Sequence, residues 1–176
     1  MQAIDLANLI RTVPDFPQPG ISFKDITTLL KDPKGFRYAV DCLAEPFVDT
    51  RVELVVGMES RGFLFAAPLA YKLGAGLIPI RKVGRLPSDS IRVSYSLEYG
   101  SNTLEAHRDA ILPGQRILIV DDLLATGGTA LATIDLIEQL GGEVVGLAFL
   151  IELLYLNGRS VLVNPPPIVS LIQYSE

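Results

Sequence analysis

The thirteen residues from Ile117 to Thr129 constrain this chain more than any other part of it. Ile117-Leu118-Ile119-Val120 is a continuous aliphatic run, the pattern of a strand buried on both faces as in a parallel sheet. Asp121 and Asp122 follow at once, then Leu123-Leu124-Ala125-Thr126-Gly127-Gly128-Thr129. A strand over Arg116 to Val120 therefore hands two carboxylates to a small, hydroxyl-rich turn at its carboxyl end, where open α/β sheets bind ligands. Gly127 and Gly128 let the backbone approach a ligand closely, and Thr126 and Thr129 add hydroxyl donors. Residues 128 to 140 read as a helix with Leu131, Ile134 and Ile137 on its apolar stripe and Gly141 as its stop. Its unpaired N–H groups and positive dipole end would point back at the turn, so residues 125 to 129 are expected to bind an anion. The plainer alternative is a tight βα turn with a threonine cap beside a solvated strand end.

Two other nucleotide-binding patterns are excluded. The turn has neither the lysine of a Walker loop nor the G-x-G-x-x-G spacing. Gly57-Met58-Glu59-Ser60-Arg61-Gly62 has the glycine spacing of a P-loop, but Phe63 stands where the lysine is required. At 176 residues and 49% hydrophobic, the chain suits one domain over 1–176. A net charge of −5 argues against a nucleic-acid or anionic-membrane surface. Cys42 is the only cysteine, so an intramolecular disulfide is impossible. Met1 to Ile10 lacks the basic start and apolar length of a signal or membrane span, and a cytoplasmic location is expected. His107, also alone of its kind, is expected on the surface of a polar helical segment. One His and one Cys leave little for a zinc site or a Cys/His dyad.

Strand-like and helix-like segments alternate from residue 53, which predicts an α/β domain with a mainly parallel sheet. The strands are Glu53 to Met58, Leu77 to Lys82, Arg116 to Val120 and Glu143 to Glu152, with a helix from Gly62 to Leu73 ended by Gly74. Residues 83 to 115 are an insertion of different character. From Arg92 to Gly100 it alternates, Val93, Tyr95, Leu97 and Tyr99 on one face, which predicts a hairpin or flap. An ordinary surface hairpin has the same periodicity. Phe16-Pro17-Gln18-Pro19-Gly20 is extended and turn-rich, residues 33 to 48 read as a helix, and Ile168 to Tyr174 as a short final strand.

Asp121-Asp122 followed by Ala125-Thr126-Gly127-Gly128-Thr129 resembles the phosphoribosyl diphosphate motif of the type I phosphoribosyltransferases. Pro14-Asp15-Phe16-Pro17, Pro19-Gly20, Phe23-Lys24-Asp25, Glu59-Ser60-Arg61-Gly62-Phe63, Arg81-Lys82 and Tyr95-Ser96-Leu97-Glu98-Tyr99-Gly100 resemble the adenine-using members in the family's order. The resemblance implies the type I fold: a mainly parallel central sheet flanked by helices, a β-hairpin flap over residues 83–105, and a base-recognition segment in residues 1–30. It implies the reaction of adenine with 5-phospho-α-D-ribose 1-diphosphate to give AMP and pyrophosphate. Magnesium would be held mainly by the substrate, with no direct protein ligand, and the chain would form a homodimer.

Each matching residue then has an expected role. Ala125, Thr126, Gly127, Gly128 and Thr129 would hold the 5′-phosphate, and Asp121 and Asp122 the ribose hydroxyls. Both carboxylates can reach one sugar from a regular strand only if the chain is already turning there, and direct metal ligation is their competing role. Ser60, Arg61, Arg81, Lys82 and Arg85 would bind the diphosphate; Arg85 stands where the family is expected to carry lysine, and any of these bases could instead be a solvated surface charge. Ser22, Phe23 and Lys24 would bind adenine, Phe23 by stacking unless it is a core aromatic; Ser22 replaces the family's usual aliphatic residue. Glu98 would manage the purine proton as the catalytic carboxyl, and Glu105, the alternative acid, is expected on the surface. Two other functions stay open: a phosphoribosyl diphosphate-sensing regulator, and a phosphoribosyltransferase for an oxopurine or xanthine. A regulator needs a nucleic-acid-binding domain or basic surface, and neither is evident in an acidic chain.

Overall fold

In the computed structural model, which describes residues 4–96 and 101–175, the aliphatic runs become the inner strands of a seven-stranded sheet. The chain divides into two compact units, Met1–Cys42 and Leu43–Glu176. In the first, β1 (Arg11–Val13) pairs antiparallel with β2 (Phe23–Asp25), Val13 opposite Phe23. Asp25 accepts a hydrogen bond from Arg11 Nε at 2.9 Å and another at 2.9 Å from the N–H of Thr27, the first residue of α1 (Thr27–Leu30). The Thr27 backbone bond is the main reason its carboxyl is lowered to about 2. α2 (Pro33–Ala44) begins with proline at its first position and Asp32 accepting from the Gly35 N–H at 2.6 Å.

The second unit holds β3 (Leu54–Met58), α3 (Phe63–Leu73), β4 (Gly76–Lys82), β5 (Ser90–Ser96), β6 (Ser101–His107), β7 (Arg116–Leu124), α4 (Gly128–Gln139), β8 (Glu143–Leu153) and β9 (Ile168–Tyr174). The strand order is β5-β6-β4-β3-β7-β8-β9, parallel from β4 to β9, with the β5–β6 hairpin antiparallel at one edge. Successive strand residues point to opposite faces. Val56, Met58, Ile117 and Ile119 form one core with Ala130, Leu136 and Ile137 of α4. Gly57 turns the other way, toward α3, so closely that a Cβ on it would come within 2.6 Å of Ala66. The crossover through α3 carries the chain from β3 outward to β4, and the crossover through α4 carries it from β7 the opposite way to β8. The order therefore reverses between β3 and β7, which opens a crevice at their carboxyl ends.

Three local expectations are corrected. β7 does not end at Val120: it runs through both aspartates, pairing Asp121 with Phe149 and Leu124 with Glu152, because β8 extends far enough to continue the ladder. α4 buries Ala132, Thr133, Leu136 and Ile137 and leaves Leu131 43% exposed. Small residues bring that face close to the sheet, and the buried Thr133 hydroxyl donates to the Thr129 carbonyl at 2.8 Å. The segment around His107 is β6 rather than helix, with His107 half-buried at its end.

Candidate active site

At the switch point, the loops after β3 and β7 border a cavity of about 610 Å3. Ser60 and Arg61 line it from the first loop, Ala125 from the second, Asp121 and Asp122 from β7 itself and Thr129 from the first turn of α4. Lys82 and Arg85 join them from the end of β4 and the loop beyond. Thr126, Gly127 and Gly128 line an adjoining cleft of about 50 Å3 that shares Asp121 and Thr129 with the larger cavity. Gly127 adopts the left-handed conformation, φ +83°, immediately before α4 begins, so the start of the helix lies at this cleft. Tyr95 and Asn102 line the cavity from the hairpin, and Tyr95 Oη lies 2.9 Å from Thr129 Oγ1.

The two aspartates meet this cavity without a turn between them. Both line it although successive residues of a strand point to opposite faces. Room for Asp121 comes from Gly62, where a Cβ would sit 2.7 Å from Asp121 Oδ1. Asp122, 4% exposed, pairs with Arg61 at 2.7 Å, and its N–H donates to Asp121 Oδ1 at 2.9 Å. Burial pushes the Asp121 carboxyl well up, and the neighbouring Asp122 charge adds to the push. Burial also raises Asp122, opposed by the Arg61 guanidinium.

Arg81 does not line the cavity. It binds Glu59 at 2.9 Å and donates from Nη1 to the Arg85 carbonyl at 2.9 Å, while Glu59 also accepts from the Lys82 N–H at 3.0 Å. Arg81 thus braces the strand end that presents Lys82 and Arg85, and its hydrogen bond is the main cause of a lowered Glu59 carboxyl. Glu105, expected on the surface, is 1% exposed. It accepts from the Arg85 N–H at 2.8 Å and the Leu86 N–H at 2.9 Å, and Arg92 lies 3.3 Å away. Burial raises this carboxyl, but the N–H groups of Leu86, Arg85 and Gly84 together bring it to about 2. A carboxylate wrapped by backbone amides is a loop anchor, and the amides come from residues about 20 positions earlier, which the sequence around Glu105 does not show.

Ser22, Phe23 and Lys24 belong to the first unit. Phe23 is half-buried and packs edge-to-face on Phe16, ring centres 5.0 Å apart, and Lys24 Nζ lies 3.3 Å from Thr12 Oγ1. Glu98 lies outside the described residues; the hairpin strands on either side of it pair in register, Tyr95 opposite Asn102. Glu59, Tyr95 and Asn102 join the site without having been assigned to it from the sequence. Glu59 sat inside the motif already singled out, and Tyr95 on the alternating face of the hairpin.

A seven-stranded sheet with its polar cavity at the β3–β7 switch, an acidic pair leading into a phosphate-loop geometry, and a hairpin at the edge define the class of type I phosphoribosyltransferases. Residues 30–160 match the family model of the phosphoribosyl transferase domain. Adenine phosphoribosyltransferase of Chloroflexus aurantiacus is 58% identical over 170 residues, covering 97% of this chain and 98% of that protein. The crystal structure of adenine phosphoribosyltransferase from Thermoanaerobacter pseudethanolicus superposes with a TM-score of 0.93 at 50% identity, covering 97% of this chain and 98% of that one. The enzyme from Saccharomyces cerevisiae, complexed with adenine and an imino-altritol bisphosphate, superposes at 0.89 with 39% identity, covering 95% and 96%. The chain belongs to the adenine phosphoribosyltransferase family.

Proposed function

We propose that the chain transfers the phosphoribosyl group of 5-phospho-α-D-ribose 1-diphosphate to N9 of adenine, releasing pyrophosphate and forming AMP in purine salvage. The observation that carries this reading is the single cavity in which Ser60, Arg61, Lys82 and Arg85 face Asp121, Asp122 and the phosphate loop. Charge is distributed as the substrate requires: cations where a diphosphate leaves, carboxylates beside ribose hydroxyls, and helix-start amides for the 5′-phosphate. As the bond from C1′ to the diphosphate oxygen breaks and the bond to N9 forms, positive charge grows on the ribose and negative charge on the leaving group. Arg61, Lys82 and Arg85 stabilise the leaving diphosphate, and the buried aspartates hold the ribose in line. The N9 proton must leave the purine, and the Glu98 carboxyl is the group assigned to it. Phe23 supplies the stacking face for adenine, and the backbone of residues 22 to 24 reads its amino edge.

Magnesium fits this site as an ion brought in on the diphosphate. Asp122 is committed to Arg61 and Glu59 to Arg81, and among the described residues no group of three or more His, Cys, Asp and Glu could hold a metal. When bound, the ion would supply positive charge to the diphosphate oxygens. The same proposal includes a cytoplasmic homodimer. A lone cysteine suits a reducing compartment, and among the described residues no helix is long and apolar enough to cross a membrane. Leu64 and Tyr71, seven residues apart on α3, are 44% and 91% exposed, as a face covered by a second copy would be.

Base preference tests the reading. Nucleotide formation from phosphoribosyl diphosphate is measured with adenine, hypoxanthine, guanine and xanthine in turn, and adenine alone is expected to give efficient turnover. Faster turnover with an oxopurine would overturn the assignment of the base, which rests on relatives named for adenine.

A further inference from the structure

A short 3-10 turn, Gly158–Val161, follows β8 and supplies no residue to the 610 Å3 cavity. Its backbone is pressed against the rear of the phosphate loop. A Cβ on Gly158 would stand 2.2 Å from the Ala125 carbonyl oxygen and 3.0 Å from the Gly127 nitrogen. In return, a Cβ on Gly127 would stand 2.2 Å from the Gly158 carbonyl oxygen and 2.6 Å from Val161 Cγ2. Neither contact tolerates a side chain, so two backbones meet directly. The loop that cradles the phosphate therefore has a floor.

That floor is fastened to the sheet. Arg159 donates from Nε to Glu152 Oε1 at 2.7 Å and from Nη2 to Oε2 at 2.6 Å, a two-point fork that fixes the turn in orientation as well as position. Glu152 is 2% exposed, lies near the end of β8 and pairs in register with Leu124, the residue before the phosphate loop. Gln173 of β9 also reaches it, at 3.4 Å. The Arg159 guanidinium lowers the Glu152 carboxyl, so the pair stays ionised at neutral pH.

We infer that Gly158 and the Arg159–Glu152 pair are positioning residues of the 5′-phosphate site, setting the curvature of residues 125–128 from behind without touching the ligand. The diphosphate residues Ser60, Arg61, Lys82 and Arg85 stand on other elements, so the device acts on one end of the substrate only. The identity of the ligand rests on the function proposed above.

The test is calorimetric titration of the native chain, Gly158→Ala and Arg159→Gln with ribose 5-phosphate and, separately, with magnesium pyrophosphate. Gly158→Ala is expected to weaken ribose 5-phosphate by at least about tenfold and to change pyrophosphate by less than about twofold. Arg159→Gln leaves the glycine contact in place and loosens its anchor, so it should show a smaller loss of the same kind, with a raised KM for phosphoribosyl diphosphate and a nearly unchanged kcat. Should Gly158→Ala not fold, Arg159→Gln carries the test alone. Equal weakening of both ligands in a folded variant, or no weakening of either, overturns the inference. A native chain that binds neither ligand overturns the underlying function, and the inference with it.

Discussion

Glu105 is a carboxylate 1% exposed and yet ionised, because two backbone N–H groups about 20 residues earlier in the chain close on one of its oxygens. Its removal leaves those half-buried donors without their carboxylate partner and the loop carrying Arg85 unanchored. Glu105→Ala is therefore expected to cost about 3 kcal/mol, read by urea denaturation at pH 7. The pH dependence follows from the direction of the shift. The folded value is about 2 against an ordinary 4.5, so the stabilisation is complete above 4.5 and lost as pH falls from there toward 2. The gap between native and variant stability should narrow over that window; a gap constant down to pH 2.5 would contradict the anchoring role. Arg61 sets a second protonation. It opposes the burial that raises Asp122, so Arg61→Met is expected to raise Asp122 further and to shift the acid limb of kcat/KM for phosphoribosyl diphosphate to higher pH. An unmoved limb would separate Asp122 from ribose binding. Both roles depend on partners distant in sequence, which is why Glu105 read as a surface acid and Arg81, now spent on Glu59, as a diphosphate ligand. Arg61 and the two aspartates stand out in the sequence because each lies in a recognisable motif, but the ion pair that joins Arg61 to Asp122 spans 61 residues and does not.

At the scale of elements, periodicity located the strands and helices well and their ends less well. Ile117 to Val120 reads correctly as a buried strand, but the partner that carries β7 on to Leu124 is β8, and a carboxylate pair gives no local sign of that. α4 was placed by its glycine at each end, whereas its buried face is chosen by close packing of Ala132 and Thr133 against the sheet, not by the larger Leu131. The hairpin shows in the sequence as alternation, but its hydroxyl contact with the phosphate loop, Tyr95 to Thr129, and the packing of Val93 and Leu104 with α4 do not. Tyr95→Phe removes that link with little change in volume. It should cost about 1 kcal/mol in thermal stability and raise the KM for phosphoribosyl diphosphate about fivefold. An unchanged KM would show that the hairpin and the loop act separately.

For the molecule as a whole, the reversal of strand order between β3 and β7 unites the observations: it brings the arginine loop and the phosphate loop to one crevice, in a chain whose net charge of −5 would otherwise repel its substrate. The same scale carries the prediction of a homodimer. Sedimentation velocity at micromolar concentration should report twice the 19.1 kDa chain mass, and Tyr71→Glu should shift the chain toward monomer. A native chain that sediments as a monomer would remove that part of the proposal. The central claim is the transfer itself, and its most direct measurement is the stoichiometry of products when the chain is mixed with adenine, phosphoribosyl diphosphate and magnesium. The account predicts AMP and pyrophosphate in equal amounts, both dependent on adenine. Pyrophosphate released without AMP, or no product at all from folded protein, would contradict it.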